Sequence, residues 1–146
     1  MLPNSNFVFF GTPHFAVIIL DELKAAGFLP GLIVTAPDKP AGRKLKLTPP
    51  LVKLWAQEND SPFLQPEKLD PVFVYNLPAR TTGIVQSGGQ PTRPNDWDRS
   101  VGQATYNLAI LAAYGQIIPS NLIKIFPEGI LNVHPSLLPK YLKSKG

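Results

Sequence analysis

The 146-residue chain contains no cysteine, so neither disulfides nor thiolate metal ligands are available to it. Histidine is almost as scarce, with His14 and His134 the only two. A zinc site would have to lean on carboxylates, and no carboxylate cluster stands at ligand spacing, so no metal is expected. No apolar run approaches the ~20 residues that cross a bilayer. Residues 1–6 lack the basic start of a signal peptide and the Arg-rich pattern of a transit peptide. A cytoplasmic protein with no membrane partner is the expectation. Charged side chains make up only 16% of the chain and hydrophobic ones 44%, enough for a packed core in one domain or part of one. No internal repeat is visible.

What charge there is has been gathered into one place. The formal net charge is +4. Residues 37–53 hold Lys39, Arg43, Lys44, Lys46 and Lys53 against Asp38 alone, an excess as large as that of the whole chain. Cations without interleaved aromatics suit phosphate contacts and positioning rather than base reading. A solvated surface loop has the same composition.

Along the chain, apolar runs and turn residues alternate. Phe7-Val8-Phe9-Phe10 reads as a buried strand stopped by Gly11-Thr12-Pro13. Thr12 is a good N-cap and Pro13 a good first helical residue. Phe15, residues 17–20, Leu23 and Ala26 then recur at helical spacing, and Gly27 supplies the stop. Leu32-Ile33-Val34-Thr35 is a second strand, completing a βαβ unit and implying a parallel sheet. Residues 36–50 read as a long Pro/Gly/Lys loop, a length that is often functional. Residues 50–59 predict a helix with Leu51, Leu54 and Trp55 on one face. A short strand is expected over 63–66 and a short helix over 70–77. Residues 78–103 are rich in Gly and Pro, low in hydrophobicity and without a period, so a flexible insertion is expected, with Trp97 as its one candidate anchor. Residues 106–113 predict a strand ended by Tyr114-Gly115-Gln116, residues 119–126 a short helix, and residues 129–133 a last strand.

That last strand carries the most informative pair. Asn132 and His134 are two residues apart and so point to the same side. Just beyond the C-terminal end of a parallel strand, that side opens onto the usual ligand crevice. An amide and an imidazole there can hydrogen-bond a developing oxyanion and move a proton. A single His near an apolar strand is otherwise most often structural. Gly11-Thr12-Pro13 sits where a dinucleotide loop would sit but lacks the G-x-G-x-x-G spacing, which disfavours NAD. A helix cap and one wall of a pocket are its expected roles. His14 reads as an exposed bystander.

Five blocks in order resemble the N-terminal catalytic domain of the methionyl-tRNA formyltransferase family. They begin with Phe9-Phe10-Gly11-Thr12-Pro13, followed after His14 by Phe15-Ala16-Val17. Pro37-Asp38-Lys39-Pro40-Ala41-Gly42-Arg43 with Lys46-Leu47-Thr48-Pro49 comes next, then Leu64-Gln65-Pro66-Glu67-Lys68-Leu69. Ala112-Ala113-Tyr114-Gly115-Gln116-Ile117-Ile118-Pro119 and the run Asn132-Val133-His134-Pro135-Ser136-Leu137-Leu138-Pro139-Lys140-Tyr141 complete the likeness, which covers residues 5–77 and 105–141. The resemblance implies a doubly wound, Rossmann-like α/β parallel sheet of the formyltransferase type. It implies transfer of a formyl group from 10-formyltetrahydrofolate to the amino group of methionyl initiator tRNA in translation initiation. His134 would then be the general acid/base and Asn132 an oxyanion donor, with no covalent intermediate, metal or obligate protein partner. Ser136, Leu137, Leu138 and Pro139 would line the folate pocket together with Tyr114, Gly115 and Gln116. The basic loop would meet the acceptor arm of the tRNA through Arg43 first, whose guanidinium can hold a phosphate bidentately, helped by Lys39, Lys44 and Lys46.

Three departures from the family pattern qualify the expectation. The family's catalytic aspartate, which would orient the ring of His134 and favour its charged form, would lie beyond residue 146. The C-terminal strands are therefore expected to be missing from residues 1–141. Residues 142–146 do not follow the family, and 78–103 form an insertion in it. Truncation with insertion suggests a decayed, mispredicted or incomplete gene product, with little activity expected of the chain alone. Two alternatives stay open: an enzyme formylating an amino sugar on a nucleotide, against which the basic loop argues, and a non-catalytic fragment with residual tRNA binding through residues 39–53.

Overall fold

Phe7-Val8-Phe9-Phe10 lies at the centre of the molecule. The computed structural model describes residues 4–71, 73, 77 and 106–135. In chain order these form β1 (Asn4–Gly11), α1 (His14–Ala25), β2 (Leu29–Val34), β3 (Lys39–Ala41), β4 (Lys46–Thr48), α2 (Leu51–Glu58), β5 (Phe63–Leu64), β6 (Leu108–Ala112), α3 (Ser120–Ile123) and β7 (Ile130–Asn132). Five strands make one sheet in the order β5-β2-β1-β6-β7, with every neighbouring pair parallel. The chain builds outward from β1 on one side through β2 and β5, then returns to the other side for β6 and β7. The order reverses between β1 and β6, which is where open α/β sheets place their ligand crevice.

Side chains alternate across β1, so one run feeds two cores. Phe7 and Phe9 join Ile33, Ile110 and Ala112 against Ala16 and Leu20 of α1 and Val52, Trp55 and Ala56 of α2. Val8 and Phe10 join Leu32, Val34 and Ala109 in the opposite layer, covered by Leu122, Phe126, Tyr106 and Leu69. A strand buried on both faces has no polar alternation, which is why these runs read as continuously apolar. The doubly wound architecture expected from the sequence is the one observed.

The ends of α1 show one expectation met and one corrected. Gly27 stops the helix with φ +89°, while the Phe28 amide donates to the Leu23 carbonyl at 2.8 Å and the Gly27 amide to that of Lys24 at 3.0 Å. This is the Schellman pattern that a left-handed C′ residue permits. At the other end Thr12 is not the cap. Pro13 occupies the N-cap position without a side-chain cap bond, because the Thr12 hydroxyl is engaged elsewhere, as described below.

Two further corrections concern exposure and regularity. On α2 the buried stripe is Val52, Trp55 and Ala56, and Leu51 and Leu54 are exposed. The Trp55 indole N–H reaches across to α1 and donates to Asp21 Oδ1 at 2.7 Å, which ties the two helices that cover one face. Residues 36–50 are not a plain loop: β3 and β4 pair antiparallel, Lys39 opposite Thr48 and Ala41 opposite Lys46. Gly42 and Leu45 take positive φ at the tip, and the Leu45 amide closes the turn on the Gly42 carbonyl at 3.1 Å. Every residue of β3 and β4 is exposed. β5, β6, β7 and α3 fall inside their expected ranges but are shorter, β6 ending where Ala113 turns to φ +52°, whereas β1 starts before Phe7 and β2 before Leu32, β2 ending one residue short of Thr35.

The expected helix over 70–77 lies mostly outside the described residues. Within them, the Phe73 amide donates to Asp70 Oδ1 at 2.8 Å, the bond of an N-cap. The expected insertion at 78–103, with Trp97, and the tail at 142–146 lie outside the described residues as well. Among the described residues no helix is long and apolar enough to cross a membrane.

Candidate active site

The crevice at the switch point is built by three strand ends and one hydroxyl. Gly11 ends β1, and any Cβ there would stand 2.6 Å from Ala16 Cβ and 2.9 Å from the Ala112 carbonyl oxygen. Only glycine lets the first turn of α1 and the end of β6 approach this closely. Thr12 follows directly. Its hydroxyl donates to the Tyr114 carbonyl at 3.1 Å and accepts from the Ala36 amide at 3.4 Å. The segments that continue β1, β2 and β6 are thereby joined at their C-terminal ends.

Around this junction opens a cavity of about 530 Å³, lined by Thr12, Pro13, Ala36, Pro37, Lys39, Glu67 and residues 113–116. Of the residues expected at a ligand pocket, Tyr114, Gly115 and Gln116 line it, as does Lys39 from the basic segment. The Gln116 side-chain Nε2 donates to the Glu67 backbone carbonyl at 3.3 Å, which fixes the far wall. Ser136, Leu137, Leu138 and Pro139 lie outside the described residues.

Tyr114 belongs to the cavity in an unexpected way. Its ring is buried and meets Phe10 edge-on, with centroids 5.6 Å apart at 76°. Its hydroxyl is buried with no hydrogen-bond partner among the described residues, and burial pushes the phenol up to about 12. A buried orphan hydroxyl is a liability of about 1 kcal/mol or more. Tyr114→Phe is therefore expected to leave the unfolding midpoint unchanged or to raise stability by up to about 1 kcal/mol. A clear loss in a urea titration would mean that the hydroxyl has a bonding partner.

Asn132 and His134 stand at the end of β7, the strand beside β6. Register pairs Asn132 with Leu111, whose side chain packs on the layer containing Phe10 and Tyr114. Asn132 Nδ2 and His134 Nε2 are 3.2 Å apart, and both residues are exposed. Alternation does bring the pair to one side, as the spacing predicts. They are outside the lining of the 530 Å³ cavity, on the adjoining strand end. An exposed amide and imidazole in contact can offer a donor to a carbonyl oxygen and carry a proton to or from a nitrogen. His14 is exposed on α1.

The basic segment contains residues that sequence reasoning passed over. Lys53 Nζ lies 2.9 and 2.8 Å from the two oxygens of Asp38, and Gln65 Nε2 donates to Asp38 Oδ1 at 2.7 Å and to the Ala36 carbonyl at 2.9 Å. The hydrogen bond from Lys53, then that from Gln65, holds the Asp38 carboxyl below its ordinary value. Lys53 is thus paired, and among the described residues the hairpin cations without an ion-pair partner are Lys39, Arg43, Lys44 and Lys46. The one available signal was that Asp38 is the sole acid in a run of cations.

Residues 5–146 match the formyl transferase family. The methionyl-tRNA formyltransferase of Chloroflexus aggregans is 42% identical over 137 residues, covering 93% of this chain and 37% of that protein. That of Geobacillus thermodenitrificans is 38% identical over 136 residues, covering 93% and 35%, and that of Thermus thermophilus is 37% identical over 133 residues, covering 91% and 36%. The chain therefore spans little more than a third of the length of these curated relatives. With a parallel sheet whose order reverses beside the Gly11-Thr12 junction, and with this match across nearly its whole length, the chain belongs to the formyl transferase family.

Proposed function

We propose that this chain supplies the formyl-transfer site of a methionyl-tRNA formyltransferase, taking the formyl group from 10-formyltetrahydrofolate and passing it to the amino group of initiator methionyl-tRNA in the cytoplasm. The observation that carries the reading is the Asn132–His134 pair, 3.2 Å apart at a strand end beside the switch-point crevice. The relatives whose names state this activity support it.

The chemistry asks little more of the protein than these two groups. The amine attacks the formyl carbon, and negative charge gathers on the formyl oxygen. Asn132 donates a hydrogen bond to that oxygen without adding charge. His134 takes the proton that the attacking amine sheds and returns one to the departing folate nitrogen as the tetrahedral intermediate collapses. The folate lies against residues 114–116 and 136–139. The acceptor end reaches the site because the hairpin holds the phosphates of the RNA through Arg43, assisted by Lys39, Lys44 and Lys46.

The binding half of the proposal is testable with the polypeptide itself. Its affinity for initiator methionyl-tRNA is expected to fall steeply as salt rises. Arg43→Ala is expected to weaken binding about tenfold and to lower the salt slope by about one phosphate contact. Salt-indifferent binding, or an Arg43→Ala variant that binds as tightly as the parent at every salt concentration, would sink the RNA-facing role of the hairpin.

A further inference from the structure

The hairpin leaves the cavity wall through one short segment, residues 36–39, and returns to the body through residues 49–50, which lead into α2. Ala36 and Pro37 line the cavity, Asp38 follows, and Lys39 both lines the cavity and begins β3. A segment this short, leading into a hairpin whose strands are wholly exposed, would ordinarily swing as a hinge. It is held instead from two directions. Lys53 comes from α2, and its ammonium takes both carboxylate oxygens of Asp38, at 2.9 and 2.8 Å. Gln65 comes from the residue after β5, and its one amide nitrogen bonds both Asp38 Oδ1 at 2.7 Å and the Ala36 carbonyl at 2.9 Å. The two side chains of the ion pair are only 19% and 23% exposed. Asp38 is thus occupied by Lys53 and Gln65 and does not face the cavity as a reactive group.

We infer that Asp38, Lys53 and Gln65 form a positioning clamp that fixes the basic hairpin at one angle to the cavity, so that an RNA held by the hairpin has its end aimed at the formyl-transfer site. This rests on the RNA-facing role proposed above and adds residues that touch neither RNA nor folate.

Charge and position make opposite forecasts for one substitution, which is what makes the clamp decidable. Asp38→Asn keeps the side chain's shape and raises the net charge by one. Charge alone forecasts tighter RNA binding, because an anion near the hairpin has gone and Lys53 is released. The clamp forecasts weaker binding, by about fivefold, because a freed arm must be reordered on association at a cost of order 1 kcal/mol. Lys53→Met should weaken binding similarly. The double variant, which restores the parent's net charge, should lose no more than either single one, since both remove the same contact. Tighter or unchanged binding by Asp38→Asn overturns the inference.

Hydrogen exchange without RNA separates the clamp from the function it rests on. In Asp38→Asn, amides of residues 39–48 are expected to exchange at least about tenfold faster while those of β1 keep the parent's rates. Unchanged exchange at 39–48 overturns the clamp, whatever the RNA does. If the parent chain binds no RNA but the hairpin amides accelerate, the clamp stands and the proposed function fails. If β1 accelerates too, Asp38→Asn has loosened the sheet. Gln65→Met, which leaves the ion pair in place, is then read by the same two criteria, with faster exchange confined to 39–48 supporting the clamp and unchanged exchange refuting it.

Discussion

Gly11→Ala is expected to destabilise the chain by about 2–3 kcal/mol, the upper part of the roughly 1–3 kcal/mol range for overpacking a well-filled site. The added carbon would lie 2.6 Å from Ala16 Cβ, 2.7 Å from a ring carbon of Phe9 and 2.9 Å from the Ala112 carbonyl oxygen. None of these is the free end of a flexible chain. Ala16 and Phe9 are fully buried, and Ala112 is held in the ladder with β1. Relief requires moving α1 off the sheet or parting β1 from β6, and either movement disturbs the junction at Thr12. Gly27→Ala is the control. It has open space around it but φ +89°, so it should cost about 1 kcal/mol of left-handed strain and no more. Urea unfolding of the two variants measures the difference. Equal midpoints would mean that crowding at Gly11 is relieved without loss of packing.

A second large effect is expected at the end of β7. Residues matching this chain make up 37% of the Chloroflexus aggregans relative, and joining residues 1–141 to the remainder of that protein gives a full-length chimera in which formylation of methionyl-tRNA can be assayed. In that chimera Asn132→Ala is expected to lower kcat about 100- to 1000-fold, the usual loss of one oxyanion donor. His134→Ala should cost about 100- to 10,000-fold. The double variant should be far less impaired than the product of the two, because groups that stabilise one transition state act as a unit. Asn132→Asp should be at least as damaging as alanine, since it would set a negative charge where the proposed oxyanion forms. An Asn132→Ala chimera with the parent's rate would remove Asn132 from the chemistry. A parent chimera that formylates a nucleotide amino sugar in preference to methionyl-tRNA would replace the acceptor.

Much of this was legible from residue order because the governing physics is local. Phe7-Val8-Phe9-Phe10 and Leu32-Ile33-Val34 announce strands buried on two faces, and Gly27 announces a helix stop. Asn132 and His134 share a side by the period of a strand alone. What escaped notice was decided at long range. Thr12 has the side chain of a cap and the position of a cap, yet its hydroxyl is taken by a carbonyl 102 residues away, and no local pattern encodes that competition. Leu51 and Leu54 look like core and are exposed, because the sheet meets α2 along Val52, Trp55 and Ala56. The hairpin was hidden by Lys and Pro, poor strand formers. Lys53 counted toward the basic segment until the fold set it against Asp38.

The Thr12 junction also dictates when the cavity can exist. Among the described residues, the two sides of the crevice come from residues 12–39 and 113–116, with Glu67 between them in sequence. The βαβ unit of β1, α1 and β2 and the hairpin of β3 and β4 rest on near-neighbour contacts and can form while later residues are still being synthesised. The crevice cannot, because its second wall arrives only after the Tyr114 carbonyl has crossed back to the hydroxyl that has been waiting since residue 12. Closing so large a loop is a slow, entropy-limited event. The basic hairpin therefore forms before the crevice does, and under the function proposed above a nascent chain would meet RNA before it had a pocket for the folate.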